Sequence, residues 1–202
     1  MAALPPARLV VPEMAGELCH AHPMDVVLGR ALDLEDLYAT PDDGNRYEIL
    51  DDAIVMTPPP GTGHQSVVGE LFVILHAAAR KRGLKAFTAP VAWRIGPGYV
   101  PEPDLVVADP AAVTPRAVVG RPVIVVEVLS PTGRGRDLHE KRRIYAEGGA
   151  GWYWIVDPDE PSLTVLRLSG SEYDLAARVV GSDVFETVDP VSLRIAPAEL
   201  VG

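Results

Sequence analysis

The chain reads as an α/β fold, a mixed central sheet flanked by helices. Three observations point there. Strand-like runs cluster in the middle and second half of the chain, with helical segments between them. Pro122 to Leu129 is a near-continuous β-branched run, which implies a strand covered on both faces. The segment after Thr62 carries Val67, Val68, Leu71, Phe72, Leu75 and Ala79 at helical spacing. Strands grouped in one layer and interrupted by helices bury their apolar faces as a sheet with helices packed on it.

Taken in order, residues Met1 to about Arg30 are rich in Ala and Pro and show no clear period. They read as a poorly ordered or loosely packed arm, and Met24 stands as a second candidate start. Residues 31–202 make up the remaining single domain. Asp33 to Tyr38 reads as a short helix. Arg46 to Leu50 and Ala53 to Met56 read as a hairpin around Asp51-Asp52, and Pro58-Pro59-Pro60-Gly61 breaks the chain. Thr62 and Gln65 have capping-box spacing for the long helix, and Gly83 closes it. Lys85 to Ile95, Tyr99 to Ala108 and Pro122 to Leu129 read as strands. Asp137 to Glu147 reads as a helix ended by Gly148-Gly149, with Asp137 and Glu140 in capping-box spacing. Trp152 to Val156 and Leu163 to Leu168 are further strands, and the tail from Glu172 adds a hairpin.

At 202 residues the chain can bury a real core, and 48% hydrophobic with 23% charged residues is ordinary for a globular protein. No apolar run approaches the roughly 20 residues that span a bilayer, and Met1 to Val11 does not read as a signal peptide. Cys19 is the single cysteine. No internal disulfide is available, and a reduced, cytoplasmic setting is the expectation. The 18 basic against 28 acidic residues give a net charge of −10, which argues against tight, non-specific nucleic-acid binding. A carboxylate site filled by a divalent cation is locally less negative than that figure.

Polar groups placed where the pattern demands apolar ones carry the chemistry. Glu127 sits inside Val123 to Leu129, where an ionised carboxylate is costly unless paired, hydrogen-bonded or bound to metal. The alternative is a fraying strand end facing water, but Val128 and Leu129 continue the run. Asp104 opens Leu105-Val106-Val107-Ala108 after Pro103; taken singly, it reads equally as a strand-start or turn aspartate. Two carboxylates on adjacent strands repel, and sharing a proton or a cation relieves this. Oxygen ligands of this kind suit Mg²⁺. Lys141 shares a helix face with Leu138 and Tyr145 and so points toward the sheet. Either its stem covers apolar surface and its ammonium reaches water, or the ammonium meets the carboxylates.

These residues carry a family resemblance. Arg46-Tyr47-Glu48-Ile49-Leu50-Asp51, Pro58-Pro59-Pro60 followed by His64-Gln65, Pro103-Asp104-Leu105-Val106-Val107, Val126-Glu127-Val128-Leu129-Ser130-Pro131, Asp137-Leu138 with Lys141 and Tyr145, and Tyr153-Trp154-Ile155-Val156-Asp157-Pro158 follow one another in joint order and spacing. Over about two thirds of its length the chain resembles the Uma2 family of endonucleases, within the PD-(D/E)xK nuclease superfamily. The resemblance implies a restriction-endonuclease-like fold with Asp104 and Glu127 as the motif carboxylates. Leu129 stands where the superfamily motif has lysine, and the resemblance implies that this lysine has moved to Lys141. Glu48 matches a further acidic position; an exposed strand residue is an equal reading. His64 and Gln65 match as well. Capping and solvation of the helix start suit His64, while Gln65 either orients a site water or serves the capping box.

The expected function is metal-dependent hydrolysis of DNA phosphodiesters. Asp104, Glu127 and the Val128 carbonyl would hold Mg²⁺ or Mn²⁺, Lys141 would act on the attacking water or on developing charge, and Glu48 would assist. Lys141→Ala is expected to cut turnover and leave the fold intact. Two rivals stand beside this. One is a binding or scaffold module that kept the fold and lost turnover. The other is a glycoside hydrolase using paired carboxylates, which needs an aromatic-lined cleft that 6% aromatic content does not favour. Arg134 and Arg136 read as a solvated loop or as phosphate contacts. Trp152 and Trp154 read as core or interface residues, and exposed aromatic strands would favour a homodimer. No membrane association is expected.

Overall fold

The structure, a computed structural model, describes residues 8–10 (backbone only) and 30–201. The expected arm over 1–30 therefore lies almost wholly outside the described residues. Arg8–Val10 forms a short strand, β1. Leu34–Tyr38 is helix α1, and Asp33 caps it: its carboxylate accepts the Leu34 N–H, and Asp36 completes a capping box.

Strands β2 (Arg46–Leu50) and β3 (Ala53–Thr57) form the expected hairpin, with β1 parallel on the other edge of β3. Asp51 and Asp52 both take left-handed backbone, at φ 47° and 61°. That is the turn whose twist matches a two-residue hairpin, usually reserved for Gly or Asn. Here the side chains offset the strain. Asp52 accepts the Leu32 N–H at 2.7 Å, and Asp51 binds the Tyr99 hydroxyl at 2.7 Å and Arg143 at 2.5 Å.

Helix α2 (Thr62–Lys81) follows, and Gly83 at φ +73° turns the chain away from it. Its start differs from expectation. Gly61 is the cap residue, and no side chain caps the helix. Thr62 is already the first helical residue, one position too late for its hydroxyl to reach back to the free N–H groups. The anticipated strand from Lys85 to Ile95 splits. β4 (Lys85–Thr88) joins the main sheet, while β5 (Trp93–Arg94) pairs with β7 (Val118–Val119). Pro90 lies between them and has no N–H to offer a ladder. β6 is only Leu105–Ala108, because the preceding stretch bridges to the hairpin through Ile49 and Val100. β8 is Ile124–Val128.

The next helix is not uniform. Arg136–Glu140 is a π-helical turn, and only Lys141–Glu147 (α3) is α-helical. β9 (Trp152–Asp157), β10 (Ser162–Ser169) and β11 (Glu172–Val180) complete the main sheet; β12 (Phe185–Thr187) and β13 (Leu193–Ile195) form a small hairpin before α4 (Pro197–Leu200). The sheet order is β11-β10-β9-β8-β6-β4. β8 and β9 are parallel, joined by α3, and the other neighbours are antiparallel. It is thus a mixed sheet.

Side chains alternate between its faces. Leu105, Val107, Ile124, Val126, Val128 and Trp154 pack with α2 in one core, while Val106, Val125, Tyr153 and Ile155 pack with Ile144 and Tyr145 of α3 in the other. Tyr153 and Trp154 are fully buried and Trp152 is half-buried, so the aromatic strand is core and offers no argument for a dimer face. By the same alternation Asp104 and Glu127 fall on the α3 face. The register pairs Leu105 with Val126, and one step further it sets Asp104 beside Glu127.

Candidate active site

Five segments deliver side chains to one place. β2 supplies Arg46 and Glu48, two residues apart and so on one face. The first turn of α2 supplies His64. The approach to β6 supplies Asp104, and β8 supplies Glu127 and the Val128 carbonyl. The π turn and α3 supply Asp137, Lys141 and Tyr145. Glu48, Asp104, Glu127 and Lys141 are each at most 3% exposed, and all four line a cavity of about 270 Å³ together with Arg46, His64 and Asp137.

Lys141 is the hub. Its Nζ lies 3.0 Å from Glu48 Oε1, 3.0 Å from Glu127 Oε1 and 3.6 Å from Asp137 Oδ1. Burial alone would push its pKa down, but the charges of Glu127, Glu48 and Asp137 more than reverse this, and it is held above the usual lysine range. Glu127 Oε1 also accepts from the Tyr145 hydroxyl. That ring is fixed edge-on against Tyr153, centroids 5.1 Å apart, and Tyr153 in turn donates to the Asp137 carbonyl at 2.8 Å. Asp104 is held on both oxygens. Oδ1 accepts from Arg46 at 2.7 Å, and Oδ2 accepts the Val128 N–H at 2.9 Å and His64 Nε2 at 3.1 Å. His64 Nε2 also lies 2.9 Å from the Val128 carbonyl. Both partners are acceptors, so Nε2 carries the proton.

The carboxylates titrate in opposite directions for stated reasons. Burial raises Asp104, but His64 and Arg46 overcome it and hold the carboxyl well below the usual range. Glu48 is likewise raised by burial and brought below its usual value by Lys141 and Arg46. Glu127 goes the other way. Burial pushes it well up, Lys141 only partly offsets this, and Asp137, Asp104 and Glu48 add to the rise. Asp137 is also raised by burial, against the pull of Lys141.

Several expectations change here. Asp137 is not a helix-start cap. The π turn begins without a side-chain cap, and Asp137 is buried at the cavity, 6% exposed. His64 does not cap α2 either; its ring turns inward to Asp104. Glu48 resolves to the site rather than to an exposed strand face. Gln65 is exposed on the neighbouring wall. Leu129, at the motif's lysine position, is buried in the α3-side core. Arg134 pairs with Asp157 at 2.5 Å, while Arg136 lines the cavity. Lys141→Ala cannot be expected to leave the fold untouched, because it would strand carboxylates in a buried cluster. Sequence reasoning passed over Arg46, whose signal was its position two residues before Glu48 on one strand.

The carboxylate and carbonyl oxygens gathered here are of the class that a hard divalent cation takes. Glu48, Asp104, Glu127 and Asp137 are more acids than Lys141 and Arg46 neutralise, and Glu127 and Asp137 relieve the excess by favouring protons. A divalent cation is the alternative relief. Among the described residues no ready-made group of three His, Cys, Asp or Glu ligands is present. Two carboxylates and one carbonyl completed by waters is a smaller set, and one typical of Mg²⁺.

The family model for Uma2, described as "Putative restriction endonuclease", matches residues 33–197. No curated protein matches the chain. Among solved structures, the chain is similar to "a putative nuclease belonging to DUF820" from Anabaena variabilis. The TM-score is 0.69 and the identity 20%, over 84% of this chain and 97% of that one. At that identity the likeness shows the fold, and it is the restriction-endonuclease-like α/β architecture described above. Among the described residues no helix is long and apolar enough to cross a membrane.

Proposed function

From the premise that the chain belongs to the Uma2 family, we propose that it is a metal-dependent endonuclease that hydrolyses DNA phosphodiesters on a single domain over residues 31–202. The observation that carries this reading is the shared cavity. Two carboxylates from adjacent strands, Asp104 and Glu127, line it together with the buried ammonium of Lys141, which pairs with Glu127 at 3.0 Å.

Asp104, Glu127 and the Val128 carbonyl would hold Mg²⁺ or Mn²⁺. When bound, the ion neutralises phosphate charge and lowers the pKa of water. Lys141, charged across the physiological range, orients the attacking water and counters the negative charge that grows on the phosphate oxygens. Glu48 fixes Lys141 from the far side, and Tyr145 fixes the Glu127 carboxylate. Arg46 and His64 hold Asp104 ionised. Arg136, at the cavity wall, meets a flanking phosphate.

The test is cleavage of plasmid and single-stranded DNA with Mg²⁺ and with Mn²⁺, alongside Glu127→Ala. The reading expects cleavage by the parent, none in chelator and none by the variant. No cleavage together with no Mg²⁺ or Mn²⁺ binding that depends on Asp104 and Glu127 would instead favour the scaffold reading, in which the displaced lysine no longer supports turnover.

A further inference from the structure

Beside the carboxylate cavity lies a larger hollow of about 560 Å³. The two share a wall, since Arg46, His64 and Asp104 line both. Their chemistry differs. Among the described residues Arg46 is the only lysine or arginine lining the hollow; its two terminal nitrogens are taken by Asp104 and the Glu102 carbonyl, and only Nε is left without a partner. A single guanidinium already paired to a carboxylate is a poor match for a phosphate. Leu37, Val68 and the prolines supply apolar wall, and Asn45 and Gln65 add side-chain amides.

Glu102 is the informative residue. It is 8% exposed and lines the hollow. Its backbone is tied down, the N–H to Glu48 at 2.8 Å and the carbonyl to Arg46 at 2.6 Å. Its carboxylate takes no hydrogen bond and no ion pair among the described residues. A carboxylate held in place at the wall of a hollow, with no partner among the described residues, is an acceptor open to a ligand that brings it donors.

We propose that this hollow is a nucleobase subsite, and that Glu102 accepts the N–H groups on the edge of one unpaired base. A base is flat and neutral, with apolar faces for the walls and a polar edge for amides and carboxylate. Guanine fits best, because its N1–H and N2–H₂ lie side by side and match both oxygens of one carboxylate. In a duplex that edge is occupied, so the base must be unpaired. That the base belongs to the strand whose phosphate sits in the next cavity rests on the nuclease reading; the subsite itself does not.

Nucleosides test it without phosphate, and so without the metal site. The full chain, in chelator, is titrated by NMR with deoxyguanosine, deoxyadenosine, deoxycytidine and thymidine. Deoxyguanosine binds most tightly, and Glu102→Gln weakens it about tenfold. Gly69 lies in α2 on the wall of the hollow, and a Cβ there meets nothing within 4 Å. Gly69→Leu therefore starts without a Cβ clash; with its fold checked by circular dichroism, it is expected to plug the space and abolish binding. Equal binding of all four nucleosides, no binding at all, or binding untouched by both variants overturns the proposal. A protein that binds deoxyguanosine but cleaves nothing keeps the subsite and loses the nuclease reading. An active nuclease indifferent to nucleosides does the reverse.

Discussion

Lys141 joins three carboxylates that would otherwise repel one another in a dry place, so its removal is a structural event before it is a catalytic one. Lys141→Met is expected to destabilise the fold by about 3–5 kcal/mol, read by urea denaturation. Adding Glu127→Gln, which removes one acid from the cluster that Lys141 held, recovers part of that loss but no cleavage. Glu127 already favours its proton because it is buried among acids. Glu127→Gln alone therefore leaves thermal stability in chelator equal to or above the parent's while abolishing cleavage. A drop of several degrees would show the carboxylate to be held ionised instead.

Glu102 gives a pH signature with a definite sign. Burial raises its pKa from 4.5 to about 7, Arg46 opposing and Glu48 adding. The folded state thus binds this proton more tightly than the unfolded one, and the parent loses that stability as pH climbs from about 4.5 to 7. Glu102→Gln has no such loss, so its stability relative to the parent rises across that window. Denaturation at pH 5 and pH 8 in chelator reads the difference, variant minus parent; a difference that falls or stays level with rising pH contradicts the assignment.

At the scale of elements, the strand carboxylates were legible because period-2 alternation and a β-branched run leave no bland place for Glu127. Lys141 was legible from helical spacing. His64 and Asp137 were not. Each sits where a capping residue belongs, and local spacing cannot tell a cap from an inward-facing side chain. The π turn at Arg136–Glu140, which sets where Asp137 and Lys141 fall along the helix, leaves no periodic mark over five residues. The β4–β5 break was misread because apolar character runs through Pro90 although the ladder does not. Two glycines separate packing from propensity. A Cβ on Gly148, after α3, would lie 2.8 Å from the Trp93 ring, so Gly148→Ala costs about 1–3 kcal/mol from overpacking. Gly69→Ala, in open space on α2, stabilises by about 0.5–1 kcal/mol. Thermal melts of the pair should move in opposite directions.

For the whole molecule, a net charge of −10 and a cavity lined by acids leave little cationic surface for a DNA backbone. Association with single-stranded DNA should therefore depend only weakly on monovalent salt. The log–log slope should have a magnitude of about 1–2, as for one or two phosphate contacts, measured by fluorescence anisotropy between about 50 and 200 mM salt. A slope steeper than about −5 would reveal a broad basic face instead.

Calorimetric titration of Mn²⁺ into the parent and into Asp104→Asn bears on the centre of the account most directly. The parent should bind the ion with release of protons from the cluster, and the variant, folded by circular dichroism, should not. Equal binding by both proteins, or none by the parent, would mean that these strands do not present a cation site.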